Sequence, residues 1–396
     1  MIKEYPKITI KPTFDKILSI SISREILINI PKYNTDDELA YRRFVILTEK
    51  SKMMYFLETE SFQDEESTYF YGKVSVTVDE IFLNFYEVNF NESTYFIIDS
   101  LSTIGFDKFA DLCHSIMIGY GLISATFHQN EAFYLSSNDN SFINITSLFY
   151  YQLRKTLTSI YNPIYSNPYG YTNDNEIVQL MGTKLKVMLP TLFSKLCYKI
   201  HTDENYATLI LLLLEANTAS LILKPAGYSV ALEKLTNIIV EENKGLKPIT
   251  DSEIAKSFNV ELNKVLKKYR SKITKTGNKD SISILQKNID KINTPTNRDK
   301  LTNPFEIYGI TLSDLDLKAI DNRNNFLHGR SINSKEKENK TNYLDVFHIS
   351  LRLNVLINKL IFKHLGYDGW LINYVKHHEK TINAHIEEEL FIRIEP

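Results

Sequence analysis

Cysteine is nearly absent from this 396-residue chain, which holds Cys113, Cys197 and no others. Two thiols make no disulfide framework, so stapled secreted scaffolds are excluded and a reducing, cytoplasmic setting is expected. Long apolar runs are missing as well. The longest, Ala207 to Leu214, stops at Glu215 and is too short to cross a bilayer, so no membrane partner is expected. The opening "MIKEYPKITIKPTF" has no apolar h-region, and no secretory signal is expected. No Walker loop, Rossmann fingerprint or zinc-finger spacing occurs, and no cofactor is expected. Internal repeats and low-complexity tracts are also absent.

What is present is ordinary in bulk and uneven in detail. Hydrophobic residues at 43% and charged residues at 24% fit a soluble globular chain long enough for two domains. Net charge is −2, but residues 1–150 hold 12 Lys/Arg against 21 Asp/Glu. The remainder holds 34 against 27, and residues 244–300 alone hold 14 basic and 6 acidic side chains. A basic second half suggests contact with a polyanion; a solvated lysine-rich helical face explains the same numbers.

The period changes along the chain. Up to about residue 150, short alternating β-branched and aromatic segments read as strands: "KITIKPTF", "ILSISIS", "EILINI", "RRFVILT", "MMYFLE", "KVSVTVDEIFLNF", "TYFIID" and "EAFYLSS". One helix is predicted at Phe106 to Tyr120. A Pro-, Gly- and Asn-rich loop, Tyr161 to Asn175, separates a β-rich domain, 1–160, from a helical domain, 176–396. Helices are predicted at 177–200, 204–223, 229–242, 252–273, 282–292, 314–327 and 343–365, with polar loops at 272–280, 293–304 and 331–340. Asp203 and Ser313 are N-cap candidates, Ser313 with Asp316 forming a capping box. Gly329 and Gly366 sit where C-terminal glycines belong, and Pro190 should kink or divide the first helix. The last helix carries two apolar stripes, Val346-Ile349-Leu353-Leu356-Leu360 and Leu344-Phe347-Leu351-Val355. Such a helix is central to a bundle or lies at a subunit interface. The fold class is therefore α+β, a β-rich N-terminal domain followed by an all-α bundle.

One stretch departs from helical chemistry: "DNRNNFLHGR", Asp321 to Arg330. Asparagine is a poor helix former because its amide competes for backbone partners. Arg323 offers a permanent charge and a planar fork suited to phosphate. His328 gives and takes protons near neutrality. Together such groups can cleave RNA without a metal: the 2′-OH attacks, and arginine stabilises the charged phosphorus centre. The plainer reading makes Arg323 a salt bridge to Asp321 or Asp316, and His328 a helix-terminal residue favoured by the dipole.

At these residues the chain resembles a family. "RNNFLHG" is similar to the Arg-Asn-x-x-x-His-Gly motif of HEPN domains, helical bundles that usually dimerise and often act as metal-independent ribonucleases in anti-phage or toxin systems. The resemblance spans roughly residues 177–390, and about ten residues carry it. It implies a HEPN-like bundle, catalytic Arg323 and His328, an assisting Asn324, RNA (tRNA included) as partner, and a 2′,3′-cyclic phosphate product. The β-rich segment resembles the N-terminal domain of ApeA-like anti-phage proteins, which implies a sensing or regulating role. Some HEPN domains carry a tyrosine two residues after the histidine; here that position is Arg330, which could add a phosphate contact. Lys267, Lys268 and Arg270 are further RNA-contact candidates within the basic region. On an ideal helix, five residues advance about 500°, leaving Arg323 and His328 roughly 140° apart. Either the helix is distorted here, Arg323 curls around, or two chains meet across a twofold axis and complete one site; the homodimer is the favoured reading. The rival is a non-catalytic scaffold that dimerises and binds nucleic acid.

Three other features have bland explanations beside sharper ones. "HHEKTINAHIEEE", His377 to Glu389, could ligate a metal, but an exposed polar helix is the default. Cys113-His114 lacks the orientation a nucleophilic pair needs, and core burial is expected of Cys113. Glu215 is either a paired carboxylate in the bundle or a residue facing solvent.

Overall fold

The computed structural model describes residues 7–8, 38–47, 53–64, 69–90, 93–129, 132–151, 155–243, 247–277, 280–327, 343–382 and 385–396. The predicted strands between 9 and 30 lie outside them. The strands described are β1 (Lys7–Ile8), β2 (Ala40–Leu47), β3 (Glu60–Asp64), β4 (Tyr69–Val78), β5 (Ile81–Phe90), β6 (Ser93–Ser100), β7 (Thr126–Phe127), β8 (Ala132–Ser137), β9 (Ile145–Tyr151) and β10 (Leu157–Thr158). Eight of them form one sheet in the order β1-β3-β4-β5-β6-β2-β8-β9, antiparallel except where β1 meets β3. β7 and β10 pair separately.

Period-two alternation sorts the sheet residues by face. Val45, Phe85, Phe96 and Ile98 join the main core, while Phe44, Tyr86, Ile97 and Phe133 form a second cluster on the other face. Helix α1 (Phe106–Ser124) supplies Phe109, Leu112, Ile116 and Tyr120 to the main core. The segment "KVSVTVDEIFLNF" contains a hairpin. Asp79 and Glu80 make its two-residue turn at φ 49° and 62°, the positive-φ pair that matches strand twist. Lys108 of α1 holds Asp79 at 2.9 Å. "MMYFLE" departs from the strand reading: Met53–Tyr55 is a short 3-10 turn, and Leu57 keeps an isolated bridge to Met188.

After the loop the helices are α2 (Asn175–Lys184), α3 (Pro190–Thr202), α4 (Glu204–Thr218), α5 (Lys224–Glu242), α6 (Ser252–Thr276), α7 (Ser281–Asp290), α8 (Asn297–Ile307), α9 (Asp314–Asp321), α10 (Arg323–Leu327) and α11 (Tyr343–Leu365). The helix predicted at 177–200 is two helices. Between them Met188 exchanges backbone hydrogen bonds with Phe56 and Glu58 at 2.8 and 2.9 Å, and Pro190 opens α3, where its missing N–H costs nothing. Helix α8 occupies a stretch read as a loop. A Thr296–Asp299 capping box starts it, and burial of Leu301 and Phe305 holds it despite Pro304.

Helix α11 matches its predicted bounds and is central to the bundle. Ile349, Leu353, Leu356 and Leu360 of its first stripe enter the main core, and Leu351 and Val355 of the second pack against Tyr161, Met181, Tyr374 and Phe391. Both stripes are thus largely covered within one chain. Gly366, at φ 75°, closes the helix. Tyr367 N–H donates to Phe362 O and Gly366 N–H to Lys363 O, both at 2.9 Å, a Schellman arrangement that glycine permits. The C-terminal segment returns as β11 (Gly369–Ile372), α12 (Tyr374–His377), α13 (Glu379–Ile382) and β12 (Phe391–Ile394), with β11 and β12 paired antiparallel. An exposed polar helix at 377–389 is therefore not what forms. Tyr374, Val375, Ile382 and Ile386 are buried beside α11, and their apolar surface outweighs the charged residues between them.

The chain is α+β, a β-rich first half followed by a helical second half. Its main core is continuous across the two. α3 packs on β4 and α1, and Thr77 N–H of β4 donates to Ser194 Oγ of α3 at 3.0 Å. No helix among the described residues is long and apolar enough to cross a membrane.

Candidate functional site

The asparagine-rich stretch begins where α9 ends. Ser313 caps α9, its hydroxyl accepting from Asp316 N–H while the Asp316 carboxylate accepts from Ser313. The helix predicted at 314–327 is interrupted at Asn322, whose side chain donates to Lys318 O at 2.9 Å. Asn322 O then accepts from Asn325 N–H at 3.0 Å, and Asn325 Nδ2 donates to Asn322 Oδ1 at 3.1 Å. The amides thus take over backbone partners at the break, which is why they suit it.

Arg323 is the first residue of α10, and its side chain is 9% exposed. α10 packs against α5, and Arg323 Nη1 lies 3.4 Å from Glu233 Oε2 on that helix. The plainer reading named Asp321 or Asp316 as partner. Instead Asp321 faces Arg298 at 3.4 Å, and Asp316 is taken by Arg352 at 2.9 Å. Of Asn324 the helical backbone is described. His328, Gly329 and Arg330 lie outside the described residues, as does the 331–340 loop. Lys267, Lys268 and Arg270 are exposed on α6. α6 packs chiefly on α7, whereas α10 packs on α5, so the three do not gather around Arg323.

Sequence patterning missed the strongest charge cluster of the bundle. Arg352 of α11 is 3% exposed and donates from Nη1 to Asp316 at 2.9 Å and from Nη2 to Glu388 at 2.6 Å. Its Nε donates to His348 Nε2 at 3.2 Å. Burial raises the Asp316 carboxyl, but the Ser313 hydrogen bonds with Lys359 and Arg352 outweigh it and leave the carboxyl below its usual range. A second cluster joins His364, Tyr308, Lys199 and Glu242. His364 Nδ1 meets Tyr308 OH at 2.6 Å, and burial with the Lys199 charge lowers the imidazole to about 4. It is neutral at cell pH and does not shuttle protons there.

Basic residues also gather where α11 ends. A groove of about 790 Å³ is bordered by Lys184, Lys186, Lys195, Trp370 and Arg393. Lys184 Nζ stands 3.6 Å from the Trp370 ring centre, and Lys195 donates to Leu365 O at 2.7 Å. Arg393 pairs with Asp368. Nothing in local spacing announces this groove, because its residues come from three separate segments.

The remaining candidates resolve simply. Cys113 and Cys197 are buried, and burial pushes both thiols up, away from nucleophilic use. Glu215 is half-buried. Glu379 pairs with Lys376 at 2.7 Å, and no group of three metal-ligating side chains is found among the described residues. Compared with family models, curated proteins and solved structures, the chain matches none of them.

Proposed function

We propose that the chain is a metal-independent endoribonuclease of the HEPN type, with Arg323 and His328 catalytic, Asn324 assisting, and the β-rich half sensing or regulating. The observation that carries this reading is the sequence "RNNFLHG". Arg323 starts the short helix α10, with its guanidinium beside Glu233. The basic groove beside Trp370 and the exposed cations of α6 suit an RNA backbone. A role in anti-phage or toxin-like defence follows from the resemblance alone.

Glu233 sharpens the proposal. Its carboxylate lies 3.4 Å from Nη1 of the fork that a phosphate would use, so substrate would compete with it. Glu233 is 46% exposed at its side chain, so the pair is weak enough to exchange. The same pair favours the second reading, a non-catalytic nucleic-acid scaffold in which Arg323 only fastens α10 to α5.

The test is incubation of wild type, Arg323→Ala and His328→Ala with total RNA and tRNA, with and without EDTA. Cleavage leaving 2′,3′-cyclic phosphate ends, resistant to EDTA and lost in both variants, is expected. Undiminished cleavage by both variants removes the catalytic assignment. The two-chain site has its own test. Mixing the two inactive variants should restore cleavage, because a mixed dimer regains one intact site. α11 no longer argues for that dimer, since its own chain covers both stripes.

A further inference from the structure

The described residues border a second, half-open space, unlike the basic groove in character. A cavity of about 580 Å³ opens where the sheet half meets the C-terminal segment. One wall is aromatic: Tyr55, Phe56, Tyr165, Tyr171 and His377. These rings brace one another edge-on or tilted, with centroids 5.0 to 5.9 Å apart. The other wall carries neutral polar groups from Ser124, Thr126, His128, Ser159, Asn162 and Asn167. Among the described residues no lysine, arginine or carboxylate lines it.

His128 is the informative member. It is 3% exposed, and neither ring nitrogen has a hydrogen-bond partner among the described residues. Phe96 meets the ring edge-on at 5.2 Å, and Tyr120 stacks at 6.4 Å. Phenylalanine would fill such a place without an orphaned polar group, which costs about 1–3 kcal/mol. Burial, with Arg43 nearby, lowers the imidazole to about 3, so it is neutral, with one donor and one acceptor lying just beneath the cavity wall, which a turn of the ring would bring to a ligand.

We infer that this cavity binds a neutral, planar heterocycle with a donor–acceptor edge, of nucleoside size. The volume lies within the range of about 300–1,000 Å³ usual for small-molecule sites. Tyrosine and phenylalanine faces suit a flat ring. The neutral lining disfavours a phosphate, which would be desolvated without a counter-charge. The site includes neither Arg323 nor His328, so it stands or falls apart from the ribonuclease reading.

Adenosine, guanosine, cytidine and uridine are the probes, titrated into the full chain by calorimetry and followed by thermal melting. Saturable binding of at least one nucleoside is expected, with melting temperature rising as its concentration rises. Its 5′-monophosphate should bind more weakly. His128→Phe should bind about tenfold more weakly or worse, while melting at or above the wild-type temperature. Thr126→Phe, filling the cavity from a half-buried strand position, should also abolish binding. Absence of saturable binding by all four nucleosides at millimolar concentration overturns the inference. So does unchanged affinity in His128→Phe, or tighter binding of the monophosphate.

Discussion

Two arginines of the helical half sit some thirty residues apart in sequence and live differently. Arg352 is nearly enclosed, with its fork divided between Asp316 and Glu388 at 2.9 and 2.6 Å. Arg323 is also mostly covered, but its ion pair is a 3.4 Å contact to the half-exposed Glu233. A guanidinium whose donors meet two carboxylates at hydrogen-bond distance is fixed. One paired loosely with a solvent-reached carboxylate can change partner. The two therefore differ in how closely a carboxylate is held, not in their burial.

That contrast can be broken by experiment. Arg352→Ala should cost about 3–5 kcal/mol in denaturant unfolding, because Asp316 and Glu388 lose their shared buried cation. Arg323→Ala should cost less, about 1–3 kcal/mol, and still lose cleavage by about 100-fold or more. If Arg323→Ala destabilises as much as Arg352→Ala, the distinction fails and Arg323 is a fastener.

Acid provides a finer test. The Asp316 carboxyl is held low in the folded chain, so the unfolded chain takes up its proton first as pH falls. Its stabilisation is complete above the ordinary carboxylate range and disappears as pH drops through the lowered folded value. Arg352→Ala should weaken this acid dependence, and Arg323→Ala should leave it intact. A separate loss is expected at higher pH from His364. Unfolded, it is protonated below about 6.5; folded, it resists until about 4. Stability therefore falls between those values, and His364→Gln should flatten that limb in equilibrium melts at stepped pH. The smallest effect expected is from Glu233→Gln. It should cost a few tenths of a kcal/mol and raise RNA affinity or cleavage a few-fold by freeing the Arg323 fork. Reduced cleavage in that variant contradicts the exchange of partners.

Local rules made much of the architecture readable. Alternation found β2, β4, β5, β6 and β8 but not β3 or β7, and the apolar stripes set α11 to its ends. Asp203 and Ser313 cap as expected, because capping is decided within four residues. The failures share a physical cause. α8 contains Asn297, Asn303 and Pro304, so propensity argues against it, and tertiary burial of Leu301 and Phe305 overrides that. Arg352 meets Asp316 and Glu388, each 36 residues away, and no periodicity encodes such a meeting. The cavity around His128 draws on residues from Tyr55 to His377. Of the candidate site, spacing singled out Arg323 and its asparagines but not Glu233, because the Glu233 carboxylate comes from a helix far upstream.

The unbroken core between β4, α1 and α3 limits how this protein can be recombined. The change from strands to helices marks a seam in the sequence, yet Phe193 and Leu196 of α3 and Phe85 of β5 belong to one apolar cluster. A graft that kept only the sheet would bare that surface to water. One that kept only the helices would strip α3 of its floor. A viable exchange of either half must carry along a matching α3 face, so the two halves are exchangeable only as a fitted pair.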